Sequence, residues 1–238
     1  HFLRYAQAHA QTTPEDFDAL EAEKDNLLNA MDVAFERQDW QSVMGIRSAL
    51  EEFLDLRGYW DEAIRRGEQA VVAARTAKDE WRVAQFAGNV AVIRKGRGEY
   101  DEARQALQQA LDSFKKLGSE ENIAVALHQL GRLAQEQGDL PEARRLYAES
   151  LTIERKLGDQ SGIAKTLNTL ASIAIAENKF TDARELLTQS CDIATRLGEQ
   201  LQIGYADWWL SYLAEKEGNQ AEAARLLRAR PEAGVTSV

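Results

Sequence analysis

The residues that come nearest to chemistry by type and spacing are a glycine-flanked lysine, three histidines, one cysteine and many carboxylates. Gly158-Asp-Gln-Ser-Gly162-Ile-Ala-Lys165-Thr166 has the residue types of a phosphate-cradling loop. Such a loop sets glycine directly before its lysine and follows a strand, so that successive backbone N–H groups close on the phosphates. Here Lys165 stands three residues beyond Gly162, and the segment repeats a helix–helix turn, so no nucleotide is expected. Gly96-Arg97-Gly98-Glu99 is likewise a turn rather than a dinucleotide fingerprint. His1, His9 and His128 include no pair at metal-ligand spacing on one helix, and no metal is expected; His1 and His9 read as solvated surface. Cys191 has no histidine near it in sequence to stabilise a thiolate and reads as a structural thiol. Most carboxylates fall at helix starts and on solvent faces, and nothing points to a paired acid and base. The reading therefore contains no catalytic residue, no metal and no cofactor, and the chain is not expected to be an enzyme.

Composition narrows the setting. The 238 residues fit one domain or one repeat array and suffice to bury a continuous core. Alanine, leucine, glutamate, glutamine and arginine dominate, and only Pro14, Pro141 and Pro231 interrupt them, so long helices are permitted almost everywhere. No run of roughly 18 apolar residues exists, so no membrane span is expected. A single cysteine excludes an internal disulfide and fits a reducing, cytoplasmic setting. The net charge of −10 is concentrated: residues 15–62 hold 14 Asp and Glu against 4 Lys and Arg, and the remainder holds 25 of each sign. A basic stripe is absent and the acidic stretch repels phosphates, so direct nucleic-acid binding is not expected. The start, His1-Phe2-Leu3-Arg4, has neither an initiator methionine nor a signal-peptide pattern, and reads as a piece of a longer cytoplasmic protein.

The elements that must position any site are repeats. One signature recurs every 40 residues: Gly58-Tyr-Trp-Asp-Glu62-Ala63, Gly98-Glu-Tyr-Asp-Glu102-Ala103-Arg104, Gly138-Asp-Leu-Pro-Glu142-Ala143-Arg144, Asn178-Lys-Phe-Thr-Asp182-Ala183-Arg184 and Gly218-Asn-Gln-Ala-Glu222-Ala223. Half a period away stand Leu117-Gly118, Leu157-Gly158-Asp159 and Leu197-Gly198-Glu199. Two turn signals per period, each followed by about 17 residues of helical apolar spacing, predict two antiparallel helices per repeat. Glycine or Asn178 ends one helix in a left-handed conformation, and the acidic pair that follows complements the dipole of the next.

A 40-residue period also suits HEAT-type repeats, and the residue pattern decides. Small residues (Ala91, Gly131, Ala171, Ser211) follow apolar ones (Val90, Leu130, Leu170, Leu210); twelve positions on comes the alanine of the second helix, and seven further another small residue (Ala110, Ser150, Ser190). This pattern resembles the tetratricopeptide repeat over residues 41–230, with a period longer than the family's usual one. The resemblance implies an all-α, right-handed α-α superhelix of about five helix pairs, at 41–57/60–77, 80–97/100–117, 120–137/140–157, 160–177/180–197 and 200–217/220–230. The first pair is degenerate, with Glu51 at the small-residue position and Gly67 replacing a bulky one. Residues 231–238 are expected to form a disordered tail.

Residues 1–40 read as an N-terminal helical junction. His1 to Ala6 looks like the end of a helix, and Thr12-Thr13-Pro14-Glu15 starts another over about 15–37. Glu23-Lys24-Asp25-Asn26-Leu27 is similar to the "E-x-D-N-L" stretch at the junction of STAND-class signal-transduction ATPases, where a nucleotide-binding core runs into a tetratricopeptide sensor. The resemblance implies an NTPase domain upstream in the same chain, with the repeats sensing a partner and controlling release of autoinhibition.

In tetratricopeptide arrays the first helices of the pairs line a concave groove for protein or peptide ligands. Alignment on the small residue gives as groove candidates Gln85, Asn89, Val92 and Lys95, then His128, Gln129, Arg132 and Gln135. Lys165, Asn168, Thr169 and Ser172 follow, and finally Tyr205, Trp208, Trp209 and Tyr212. Amides and cations here suit a ligand backbone or carboxylate, although the Lys/Asn pattern of the chaperone-type carboxylate clamp does not fall at the matching positions. The aromatics 205, 208, 209 and 212 share one helical face and allow two readings: packing on a capping helix, or an interface hot spot. Trp40, Trp60 and Trp81 sit at helix starts and read as staples. The expected function is a protein- or peptide-binding sensor module of a STAND-type ATPase; the alternative is a stand-alone scaffold or adaptor for complex assembly.

Overall fold

The computed structural model describes residues 1–10 and 13–228. The described residues form helices and turns with no strand. They divide into two compact units, His1–Ala126 and Leu127–Val238. The expected fold class, all-α helix pairs of the tetratricopeptide solenoid type, is the one observed.

The first unit contains α1 (Phe2–Ala8), α2 (Pro14–Glu36), α3 (Trp40–Ala49), α4 (Glu51–Leu56), α5 (Trp60–Thr76), α6 (Glu80–Gly96) and α7 (Tyr100–Leu117). The helix α8 (Glu120–Glu136) begins in this unit and ends in the second. The second unit continues with α9 (Leu140–Leu157), α10 (Gln160–Ala176), α11 (Phe180–Leu197), α12 (Gln200–Lys216) and α13 (Gln220–Arg228). The expected tail 231–238 and residues 229–230 of the expected last helix lie outside the described residues, as does Thr12; Thr13 caps α2, its hydroxyl oxygen accepting from the Asp16 amide at 3.1 Å.

A single device sets the helix lengths. Positions 38, 58, 78 and so on to 218, one residue in every twenty, have positive φ. At each, the next amide donates to a carbonyl five residues back, from Asp39 to Ala34 at 2.9 Å through Asn219 to Ala214 at 2.8 Å, which satisfies a carbonyl at the helix end. Asp39, Asp79, Asp139 and Asp159 follow directly and accept from the amide three residues on, at 3.0–3.1 Å, starting the next helix. Glycines and Asn178 at these positions were legible in advance. Gln38 and Lys78, both at φ 57°, were not, because neither residue type advertises a left-handed backbone.

The signature alanines Ala63, Ala103, Ala143 and Ala183 are fully enclosed, where a larger side chain has no room. Gly67 serves the same purpose in the first pair: a Cβ there would collide with Val90 of α6. The helix expected over 41–57 arrives in two pieces, α3 and α4, because Leu50 opens to φ −91°, ψ 0°. The i→i−4 bonds of Leu50 and Leu54, at 3.0 and 2.9 Å, persist on both sides of it.

In the first unit α2 is fastened to α5. Arg66, 3% exposed, donates to Asp32 of α2 and to Glu62 at 3.1 Å, while Gln69 donates to Asp32 at 2.9 Å. The Arg66 guanidinium holds the Asp32 carboxyl below its usual range. The Glu23–Leu27 stretch takes part in the same packing: Leu27 is fully buried, and the Lys24 ammonium lies 3.9 Å over the Tyr59 ring.

Candidate binding recess

In the second unit the first helices of consecutive pairs present polar residues at i, i+3, i+4 and i+7 while their other faces carry the core. On α8, Leu127, Leu130 and Leu133 are buried, and His128, Arg132, Gln135 and Glu136 face a recess. On α10, Ile163, Leu167 and Ala171 are buried, and Lys165, Asn168, Thr169 and Ser172 line it. Gln202 and Tyr205 of α12 complete a hollow of about 490 Å³. Eight of the groove candidates therefore meet in one place. Gln202 and Glu136 were missed; continuing the same helical face one turn back on α12 and one residue on along α8 finds them.

Part of this wall is internally bonded. Tyr147 of α9, fully buried, donates its hydroxyl to Gln135 at 3.1 Å; Gln135 donates to the Ser172 hydroxyl at 3.1 Å, and Ser172 donates to the Thr169 carbonyl at 2.7 Å. Burial pushes the Tyr147 hydroxyl upward, so it stays protonated. Thr169 donates to the Thr166 carbonyl at 2.8 Å. Gly131 lets Tyr147 come close: a Cβ there would stand 2.9 Å from the ring.

Other polar atoms of the recess have no such partner. Asn168 is 3% exposed rather than surface-lying, as its groove position had suggested. Its Nδ2 donates to Gln202 at 3.1 Å, and its enclosed Oδ1 has no partner. The His128 ring meets Tyr147 edge-on, centroids 5.0 Å apart, with Nε2 enclosed and unpartnered. Burial first, then the charges of Arg132 and Lys165, lower its pKa to about 4, so the ring is neutral at pH 7. Arg132 is 3.6 Å from Glu136 one turn on, a half-exposed pair of little strength. Lys165 is exposed.

The remaining candidates lie elsewhere. Gln129 is half-buried beside the recess residues on α8. On α12, Trp209 has Trp208, Tyr212 and Tyr205 around it at centroid distances of 4.4, 5.6 and 6.5 Å. Trp209 and Tyr212 pack against the core cluster that includes Leu226 of α13, whereas Trp208 and Tyr205 are exposed. In the first unit, Gln85, Asn89 and Lys95 are half-buried and Val92 is exposed. Asn89 donates to Glu51 of α4, whose carboxyl is raised by burial.

The loop-like run Gly158–Thr166 is a helix junction. Gly158 ends α9, and the Asp159 carboxylate takes the Gly162 amide at 3.0 Å, so a carboxylate occupies the place a phosphate would need. Cys191 is half-buried with its Sγ 3.8 Å from Asp207; burial, then Asp207, raise the thiol's pKa. Trp40 and Trp81 pack edge-on against Phe35 and Phe114, and Trp60 is exposed at the start of α5. The recurring arginines of the signature are structural in this unit: Arg144 pairs with Glu177, and Arg184 with Glu217 at 2.6 Å and Glu222 at 3.1 Å.

The family model of the tetratricopeptide repeat matches residues 82–156 and 122–196. Residues 82–196 are tetratricopeptide repeats, and the fold resembles that of a STAND ATPase with a tetratricopeptide repeat sensor. That ATPase, the STAND protein with a tetratricopeptide repeat sensor from Pyrococcus horikoshii, matches with TM-score 0.78 at 12% identity, over 96% of this chain and 35% of its own. BtubC from P. vanneervenii matches with TM-score 0.71 at 16% identity, over 86% of this chain and 88% of its own. The apo quorum sensor NprR from B. thuringiensis matches with TM-score 0.68 at 17% identity, over 95% and 62%. At these identities the likeness is one of fold. No curated protein sequence matches the chain. Tetratricopeptide domains bind protein or peptide partners, and no enzymatic family is indicated. No helix among the described residues is long and apolar enough to cross a membrane.

Proposed function

We propose that the chain is the partner-sensing repeat region of a cytoplasmic STAND-type regulator, with residues 1–40 as helical junction and 41–230 as the sensor. A protein or peptide segment occupies the recess of the second unit and biases autoinhibition of an NTPase domain upstream in the same chain. The observation that carries the binding part is the convergence of eight groove candidates on one open recess, whose wall holds unpartnered Asn168 and His128 atoms. The STAND part is supported by the Glu23–Leu27 stretch and by the likeness over 96% of the chain to a STAND protein's fold.

The test joins the chain to the sequence encoded immediately before it and measures nucleotide hydrolysis. Asn168→Ala with Tyr205→Ala, the second an exposed residue of the recess, is expected to change basal hydrolysis or its response to a partner while leaving helicity unchanged. A gene with no NTPase sequence upstream removes the STAND part and leaves the second reading, a stand-alone adaptor. That reading is favoured by BtubC, a chain that this fold covers over 88% of its length.

A further inference from the structure

Where one helix pair joins the next, three repeat positions set the character of the joint. Around α5 and α6 they hold Ala70, Ala74 and Phe86, around α7 and α8 Ala110, Phe114 and Ala126, and around α11 and α12 Ser190, Ala194 and Ala206. Around α9 and α10 they hold Ser150, Glu154 and Thr166. Glu154 is 5% exposed, and the buried Ser150 and Thr166 hydroxyls each donate to its Oε1 at 2.9 Å. Its Oε2 is enclosed with no partner. Burial raises its carboxyl against the pull of these two hydroxyls; Asp159 in the turn adds to the rise and Lys165 of α10 opposes it. Gly162 keeps the place open, since a Cβ there would collide with the Asp159 carboxylate and stand 3.2 Å from Cγ of Glu154. Farther from the turn the contact is tied: Arg144 of α9 pairs with Glu177, and Gln135 of α8 donates to Ser172 of α10 at 3.1 Å.

We propose that the α9–α10 joint is a soft seam built into the fold, which opens locally to let water reach Glu154 and thereby shifts α10 against α8. An enclosed carboxylate with a bare oxygen is costly, and water entering the seam relieves that cost. The joints whose three positions are apolar gain nothing by opening, so the seam opens well before the unit unfolds. Because α10 carries Lys165, Asn168, Thr169 and Ser172, its shift reshapes one wall of the recess that α8 faces. The seam does not depend on what the recess binds; only its consequence for binding rests on that reading.

Amide hydrogen exchange on the whole chain, read by mass spectrometry at neutral pH, tests the seam. Glu154→Gln keeps the side chain's shape and its Oε1 acceptor and removes the charge. It is expected to slow exchange across residues 150–166 about tenfold, while residues 190–206 exchange as before. Glu154→Leu with Thr166→Val, which makes the joint apolar at nearly constant volume, is expected to slow it at least as much. Equal exchange in the parent and the Gln variant overturns the seam, as does a slowing spread evenly over both segments, which would report global stability. The shift of α10 is read from spin labels at Arg132→Cys and Lys165→Cys, both outside the joint, in a Cys191→Ala background. The parent is expected to give a broad distance distribution that Glu154→Gln narrows; an unchanged distribution overturns the coupling of the seam to the recess wall.

Discussion

Asn89 in the first unit and Asn168 in the second, both on first helices of their pairs, are satisfied to different degrees. In the first, Asn89 is bonded to Glu51 and the buried Arg66 of α5 is held by Asp32, Glu62 and Gln69, while Arg47 of α3 keeps Nε and Nη1 unpartnered. In the second, Asn168 and His128 line a hollow with polar atoms unpartnered. The origin of the difference is one repeat position. Glu51 stands where Ala91, Gly131, Ala171 and Ser211 stand in later repeats, and its carboxylate engages the amide of the following repeat. Gly131 offers the following repeat no side chain, and admits Tyr147 instead. A carboxylate at the small position thus gives the amide of the following repeat a partner, which a small residue there does not.

The strongest way to break the comparison is at Arg66. Asp32→Ala leaves a nearly fully buried guanidinium short of a partner, and urea unfolding is expected to show a loss of about 3 kcal/mol. An unchanged midpoint would mean that Glu62 and Gln69 suffice. The second effect is pH-linked and belongs to the recess. His128 titrates near 4 when folded and near 6.5 when unfolded, so between these values the unfolded chain binds the extra proton. Stability is therefore lost as pH falls through that window, by about 2 kcal/mol between pH 7 and pH 5. Around His128 stand Arg132 and Glu136 of α8, Tyr147 of α9, Lys165 of α10 and Tyr205 of α12. His128→Gln is expected to flatten that part of the profile, and an equally steep profile in the variant would assign it to carboxylates.

A smaller contrast sets the two asparagines side by side. Asn89→Ala removes a donor from a half-buried carboxylate and is expected to cost about 1.5 kcal/mol. Asn168→Ala, which also removes an unpartnered oxygen, is expected to change stability by less than about 0.5 kcal/mol. Equal costs would erase the distinction between the faces. Smallest is Lys78→Gly, which relieves a left-handed backbone at the price of a looser unfolded chain; a gain of about 0.5 kcal/mol is expected in thermal unfolding.

Much of this was legible because repetition amplifies weak signals. A lone glycine says little, but glycines at 58, 98, 138 and 218 in phase with buried alanines fix both helix boundaries and crossing points. The recess was legible in the same way, since aligning on the small residue placed His128, Arg132, Lys165 and Asn168 on one face. Burial within that face was not legible. Nothing in the one-letter code told Asn168, nearly enclosed under Gln202, from Gln85, half-buried in the first unit, because enclosure depends on side chains from neighbouring helices. The interruption at Leu50 and the left-handed Gln38 and Lys78 escaped for a related reason: turn geometry imposed by neighbouring turns overrides residue preference.

The twenty-residue spacing of left-handed turns also makes the length of the chain quantised. Gly158 and Gly198 are interchangeable joints, each closing a helix and followed by an acidic residue. Excising residues 159–198 would join one such joint to the continuation of the other without altering a single turn, whereas a deletion whose length is not a multiple of twenty would leave a helix without its end, and one of twenty would strip a pair of one helix. The array can therefore grow or shrink only in whole periods, each step adding or removing one complete wall of whatever cavity it encloses.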